Sequence, residues 1–294
     1  MQPPDDFNPP TGVAIELSKG LRRILAPNPS PMTYRGTNTY VLGKTDLAVI
    51  DPGPDDASHL AAILGAVLPH QHITHILVTH SHLDHSPLAR ALAAQTGAPI
   101  YAFGDATAGR SAVMQELAKN GLVGGGEGID HGFTPDITVQ DGETIAADGW
   151  EVKVLWTPGH LGNHISFVWQ EAVFTGDHVM GWASSLVSPP DGDLTQFMTS
   201  CARLKAVPAK TYHPGHGAPV TDPAARLDWL ISHRRARETA ILSALKTGPA
   251  RADHLAAQIY TETPKALQGA ATRNVLAHLI DLSGQSQVQP VGAL

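Results

Sequence analysis

Apolar residues in this chain fall into short runs that end in turn chemistry, with helical periodicity between them. Residues 39–42, 47–50, 73–79 and 152–156 are dense in β-branched and aromatic side chains, and the last three stop at Asp51-Pro52-Gly53, at His80 and at Thr157-Pro158-Gly159-His160. Runs of this length, flanked by Gly and Pro, predict buried strands. Residues 55–68 carry Leu60, Ile63, Leu64, Val67 and Leu68 at helical spacing behind an Asp cap, and residues 86–96 open on Ser-Pro and stop at Gly97, so both predict helices. Asp141-Gly142 and Asp148-Gly149 predict hairpins, and Gln170-Glu171 implies a third. The glycine-rich stretch 121–132 reads as a mobile surface linker without chemistry. From Pro223 the pattern changes. Residues 225–246, 252–260 and 264–282 predict three helices, and β-prone residues around Val288 predict a closing ribbon. That outline suggests a winged-helix-like module and divides the chain into 1–222 and 223–294.

Chemistry concentrates where strands end. In Thr79-His80-Ser81-His82-Leu83-Asp84-His85, three imidazoles and a carboxylate directly follow an apolar run. Neutral imidazole offers a nitrogen lone pair and carboxylate a hard oxygen, a set suited to zinc or another borderline divalent ion. Alternate residues of an extended segment project one way, so His80 and His82 can grip one ion while the turn into the next helix sends Asp84 and His85 toward another. An isolated His-x-His is as often a solvated turn. Here three further groups sit where a strand breaks at glycine: His160 after Pro158-Gly159, Asp177 after Thr175-Gly176, and His216 in Pro214-Gly215-His216-Gly217. Glycine permits the sharp turn that brings distant segments into one cleft.

This series of motifs, spanning about residues 17–222, resembles the metallo-β-lactamase superfamily, with all its usual ligand positions filled. The resemblance implies an α+β fold, an αββα sandwich with metals at one edge, plus a small C-terminal helical, winged-helix-like domain. It implies that His80, His82 and His160 hold one metal, that Asp84, His85 and His216 hold a second, and that Asp177 bridges them. Asp51, in Ile50-Asp51-Pro52-Gly53, matches a family position that supports a ligand or turn. His164 and His178 flank ligand positions and are expected to support ligands or lie at the surface. His59, His70, His72, His75 and the histidines of the tail read as solvated or capping.

Two divalent ions, zinc preferred and Mn2+ or Fe2+ as alternatives, would lower the pKa of a bridging water and provide a hydroxide nucleophile, with Asp84 orienting or deprotonating it. A Ser/His/Asp triad has no Gly-x-Ser-x-Gly elbow to support it. Persulfide dioxygenases resemble a one-iron version with fewer ligands. An exported β-lactamase would need an export signal, and the tail does not match the glutathione-binding helices of glyoxalase II.

Substrate is the open question. The segment around Tyr34-Arg35-Gly36-Thr37-Asn38 is similar to a subgroup that includes mitochondrial lactamase-beta-like endoribonuclease and fungal polyketide-releasing thioesterases. In that subgroup the segment after the bridging aspartate, here with Trp182 and Ser185, lines the substrate entrance. The resemblance therefore implies either a small-molecule acyl thioester or ester hydrolase, or a single-strand-selective endoribonuclease whose tail guides RNA. A degenerate, non-enzymatic scaffold is the third reading, and intact ligands argue against it.

Composition adjusts this picture in three ways. With 42% hydrophobic and 16% charged residues the 294-residue chain is an ordinary globular protein. Its net charge of −7 argues against a surface dominated by phosphate contacts. Only the tail is mildly basic, with 8 basic against 5 acidic residues from position 225 and 12 against 22 before it. Arg234, Arg235 and Arg237 form its one tight basic cluster, expected to be a solvated helix face, while Leu227, Leu230, Ile231, Ile241, Leu242 and Leu245 dock the tail on the main domain or on a second copy. One cysteine, Cys201, leaves no internal disulfide. With no apolar leader or spanning stretch, the expected location is the cytoplasm, without membrane contact.

Overall fold

The computed structural model describes residues 6–124 and 128–291. Strands β1 (Ile15–Ser18), β2 (Leu21–Leu25), β3 (Asn38–Leu42) and β4 (Asp46–Ile50) run antiparallel in sequence order. Helix α1 (Ala57–Gly65) is capped by Asp56, whose carboxylate accepts from the His59 amide. It returns the chain to β5 (His72–Leu77), parallel to β4. Helix α2 (Leu88–Thr96) ends at Gly97 in a left-handed conformation and leads to β6 (Ile100–Ala102). Helix α3 (Ala112–Lys119) and the short β7 (Ile137–Thr138) complete a seven-stranded sheet in sequential order.

The second sheet contains β8 (Thr144–Ala147), β9 (Trp150–Trp156), β10 (Ile165–Trp169), β11 (Ala172–Gly176) and, after helix α4 (Leu194–Lys205), β12 (Thr211–Pro214). The Asp148-Gly149 and Gln170-Glu171 hairpins form as predicted between β8 and β9 and between β10 and β11. Asp141-Gly142 is not a hairpin. It carries the chain from β7 of one sheet to β8 of the other, and the Gly142 amide donates to Val154 O. A local turn signal cannot report which sheet receives the next strand.

Burial explains the layers. Along β3 and β4, Tyr40, Leu42, Ala48 and Ile50 face the second sheet and meet Val152, Val154, Phe167 and Phe174, while Val41, Leu47 and Val49 face Ile63 and Leu92 of α1 and α2. Period-two alternation with both faces apolar requires cover on both sides. The outer face of the second sheet is covered by Phe197, Cys201 and Leu204 of α4 and by Leu227 and Leu230 of α5 (Pro223–Leu245), giving the αββα order. Helix α5 continues into α6 (Ala252–Ile259) and, after a 3-10 turn, α7 (Gln268–Gly284).

Several expectations for the tail change. Leu227 and Leu230 dock on α4 and the second sheet, but Ile241, Leu242 and Leu245 belong to a separate small core with Leu255 and Val275. Residues around Val288 form no strand among the described residues. Arg234 is not solvated: it is 2% exposed, while Arg235 alone of the basic cluster is exposed. Part of the 121–132 stretch, residues 125–127, lies outside the described residues. No helix among the described residues is long and apolar enough to cross a membrane.

His59 and the tail's His278 are likewise buried rather than solvated. Thr39 Oγ1 donates to Asp51 O at 2.7 Å, so it accepts from His59 Nε2 at 2.8 Å. Nδ1 is left as the basic nitrogen, buried and without a partner among the described residues. Burial lowers the His59 pKa to about 4 and that of His278 to about 3. An unfolded chain takes up these protons near pH 6.5 while the folded chain refuses them until lower pH. Stability is therefore complete above pH 6.5 and is lost as pH falls toward 4, with His59 alone contributing on the order of 3 kcal/mol. Thermal melts between pH 7.5 and 4.5 should show a falling midpoint, with a shallower fall in His59→Gln.

Candidate metal centre

Strand direction places the candidate groups at one edge. Strand β4 is parallel to β5 and β11 to β12, while β9 and β11 both run antiparallel to β10. Their carboxyl ends therefore open on the same side, where Asp51, the 79–85 segment, His160, Asp177 and His216 follow. Hydrogen bonds across the sandwich hold the two edges together. Ile165 N donates to Thr79 O at 2.8 Å, and Asn38 Nδ2 donates to Pro214 O and Gly217 O at 3.0 and 2.9 Å.

Seven side chains meet there in two adjoining sets, His80, His82, His160 and Asp177 in one and Asp84, His85 and His216 in the other. His82 Nδ1 lies 3.0 Å from His80 Nε2 and 3.1 Å from His160 Nε2. In the second set His85 Nε2 and His216 Nε2 are 3.4 Å apart, and Asp84 Oδ2 is 3.1 Å from His216 Nε2 and 3.3 Å from His85 Nε2. Asp177 reaches both: Oδ1 is 3.4 Å from His85 Nε2, and Oδ2 is 3.3 Å from His216 Nε2 and 3.7 Å from His160 Nε2.

The outer nitrogens fix the tautomers. His160 Nδ1 donates to Leu186 O at 2.7 Å and His216 Nδ1 to Gly36 O at 3.1 Å. His85 Nδ1 lies 3.0 Å from Asp51 Oδ2. Thr79 Oγ1 gives its proton to Asp51 Oδ2 at 2.7 Å, so it accepts from His80 Nδ1 at 2.9 Å. These contacts turn lone pairs, not protons, inward from His80 and His160. Converging lone pairs repel unless a cation lies between them. Zinc–nitrogen bonds of 2.0–2.1 Å in a tetrahedron give nitrogen separations of about 3.3 Å, near the values observed. The residues therefore fit the divalent ions that this donor chemistry implies. Asp177 Oδ1 and His82 Nε2, buried with no hydrogen-bond partner among the described residues, fit the same reading in the first case and lie behind the site in the second.

Asp51 organises both sets. Its carboxylate accepts from Thr79 N at 2.7 Å, from Thr79 Oγ1 and from His85, and its own backbone is held at a φ of 50°. Such a conformation is uncommon outside glycine, asparagine and aspartate, and here the hydrogen bonds of the carboxylate hold it in place. Among these donors glycine is needed at Gly215, where an added Cβ would fall 2.4 Å from Asp177 Oδ1 and 2.7 Å from His85 Cε1.

Charge separates the two sets. Burial holds His80 well below its usual range, and pushes His82 down to about 3. Burial also opposes protonation of His85 and His216, but the carboxylates of Asp84 and Asp177 overcome it, holding His85 well above its usual range and His216 up to about 10. Asp84 and Asp177 stay well below theirs, because His85 and His216 outweigh burial.

The other sequence candidates occupy supporting places. His164 is fully buried behind His80, with Nδ1 2.9 Å from Thr157 Oγ1, and His178 is packed on Phe197 and Cys201. Ser185 is also fully buried, its hydroxyl donating to the carbonyls of Asp177 and His178, so it braces the Asp177 turn and does not line an entrance. Trp182 is half-buried beside Gly217 and stacks on Tyr34 at 5.2 Å. Sequence reasoning missed Thr37, which donates to Asp84 Oδ2 at 3.0 Å, and the end of the glycine-rich stretch. There Gly128 O accepts from Leu83 N at 2.7 Å and Asp130 N donates to Ser81 O at 2.8 Å, pinning the His82 segment. Its composition carries no sign of that role.

The carboxylates of Asp84 and Asp177 favour protonated His85 and His216, so a metal competes with protons there, and uptake is expected to release protons and affinity to rise with pH. Calorimetric titration with Zn2+ in buffers of different ionisation heat measures this directly. Asp51→Asn is expected to weaken zinc binding about 10–100-fold by loosening His85 and Thr79; an unchanged affinity in chelator competition would remove Asp51 from the site.

Comparison with known proteins agrees with this geometry. Residues 32–216 match the family model described as the metallo-beta-lactamase superfamily, and residues 252–293 match the beta-lactamase associated winged helix domain. A beta-lactamase-like protein 2 homolog of Drosophila melanogaster is 30% identical over 93% of this chain and 91% of its own. An atrochrysone carboxyl ACP thioesterase of Aspergillus fumigatus is 30% identical over 78% of this chain and 66% of its own. Among solved structures, a metallo-beta-lactamase family protein of Thermus thermophilus superposes with a TM-score of 0.75 at 25% identity, covering 94% of this chain and 97% of that one. A beta-lactamase domain protein of Burkholderia ambifaria, at 21% identity, gives 0.78 over 96% and 91% and shares the fold.

Proposed function

This chain belongs to the metallo-beta-lactamase superfamily of hydrolases, and from that membership we propose that it cleaves a small acyl thioester or related ester at a two-metal centre. The observation that carries the reading is the pair of ligand sets sharing Asp177. Five imidazoles and two carboxylates favour zinc, with Mn2+ or Fe2+ as alternatives. Bound there, two divalent cations would supply a water acidic enough to react near pH 7 and a positive pole for the acyl oxygen. His160, His216 and His85 are each locked by an acceptor on the outer nitrogen, so little reorganisation is needed. Asp84 is the most open of the three carboxylates, with its side chain 25% exposed against 10% for Asp177 and 3% for Asp51. Held by Thr37, it would orient the attacking water and take its proton.

Two observations support an acyl substrate over RNA. The Aspergillus fumigatus relative is named as a thioesterase acting on an acyl carrier protein. The tail, although matched to a winged helix domain, uses two of the three arginines of its basic cluster internally: Arg234 is buried, and Arg237 donates to Ile259 O at 3.0 Å and lies over Tyr260. A groove-reading helix needs such residues free for phosphates.

A panel of acyl thioesters, on coenzyme A and on an acyl carrier protein, assayed beside single-stranded RNA, tests the proposal. The wild type should hydrolyse a thioester with little salt dependence, and Asp84→Ala should lower that rate by roughly 10²–10⁴-fold. RNA cleavage whose affinity falls steeply with salt, without thioester turnover, would replace the acyl reading with a phosphodiester one.

A further inference from the structure

Two arginines of α5 reach into the segment that follows Asp177. Arg226 and Arg234 are 8% and 2% exposed, and no carboxylate among the described residues pairs with either. Buried guanidinium groups without counter-ions must be satisfied by dipoles. Arg226 donates from Nε to Met180 O and from Nη2 to Ala183 O, both at 2.6 Å. Arg234 donates from Nη2 to Ser185 O and from Nη1 to Asn274 Oδ1 at 2.9 Å. Its guanidinium also lies 5.0 Å from the centre of the Phe197 ring.

The chain of contacts ends on ligands. Asn274, on α7, accepts at the same Oδ1 from Val187 N at 3.1 Å. Ser185 and Val187 are thus both tied to the C-terminal helices, and the residue between them, Leu186, offers the carbonyl that orients His160. The Ser185 hydroxyl braces the carbonyls of Asp177 and His178. The second ligand set has a different source of support: Thr37 holds Asp84, Asp51 holds His85 and Gly36 holds His216. Those partners all precede position 52.

We infer that Arg234 and Asn274 are positioning residues through which the C-terminal helices set the orientation of His160 in the His80, His82, His160 and Asp177 set, while Asp84, His85 and His216 are oriented without them. This rests on the two-metal reading above. Because both residues hold the segment around Leu186, whose carbonyl orients His160, a donor of that set alone, their loss should weaken one ion more than the other. Among the described residues, neither has a hydrogen bond to a ligand side chain.

The test is Co2+ titration of the full-length protein, following visible absorption, which reports donor geometry, with Zn2+ affinities from chelator competition. Wild type should bind two ions. Arg234→Met and Asn274→Ala should each weaken one about 10–100-fold and change its spectrum, with a clearly smaller effect on the other. Arg234→Lys, which keeps one donor toward Ser185 O, should recover part of the loss. Asn274→Ala leaves the buried charge in place and serves if Arg234→Met does not fold. Wild-type affinities and spectrum at both sites in the variants would overturn the inference, as would equal weakening of both in step with a lower melting temperature. Failure of the wild type to take up any ion would instead overturn the two-metal reading on which the inference stands.

Discussion

The structure depends on one electrostatic problem. Imidazole lone pairs and carboxylate oxygens from separate segments converge within 3.0–3.7 Å at the open edge of the sandwich. Unpaired, such groups repel and are costly to bury, so the surrounding structure has to hold them against their own preference. Protons on His85 and His216 relieve part of the repulsion. Divalent cations would relieve all of it, which is why the arrangement reads as a metal centre and not as a set of satisfied core histidines.

Holding such a site requires rigid orientation from behind. Inward nitrogens are aimed by contacts on the far side of the ring, as with His160 on Leu186 O, His216 on Gly36 O and His85 on Asp51. Asp51 serves two ligands at once, through His85 directly and through Thr79 to His80. Local strain is accepted in exchange: the left-handed backbone at Asp51 and the close fit at Gly215 are tolerable because several hydrogen bonds and two sheets over-determine the geometry. The C-terminal helices extend this logic. Their buried arginines, Arg226 and Arg234, capture backbone carbonyls of the 180–185 segment, which ties the tail to the turn after Asp177.

Much of this was legible in the chain itself. The candidate donors that the structure brings together could be singled out from residue chemistry at strand ends, because a histidine or aspartate after an apolar run and a glycine has few other reasons to recur. Strands 39–42, 47–50 and 152–156 and the helices of the tail followed from periodicity and caps, within a few residues of β3, β4, β9, α5, α6 and α7. Other elements gave no such signal. Asp141-Gly142 has a hairpin's sequence but joins two sheets, and the residues around Val288 lack the partner strand a ribbon needs.

The donor inventory and the alternation that makes both sheet faces apolar are properties of residues and their near neighbours, so the chain alone was enough to establish them. Partnership was not readable in that way and emerged only on folding. Arg234 looks like any solvated helix arginine until Ser185 and Asn274 are brought to it, His59 like a surface cap until Thr39 meets its ring, and Gly128 like linker until Leu83 donates to it. Burial and hydrogen bonding between residues tens to hundreds of positions apart are set by how sheets stack and where helices dock, and no local pattern carries that information.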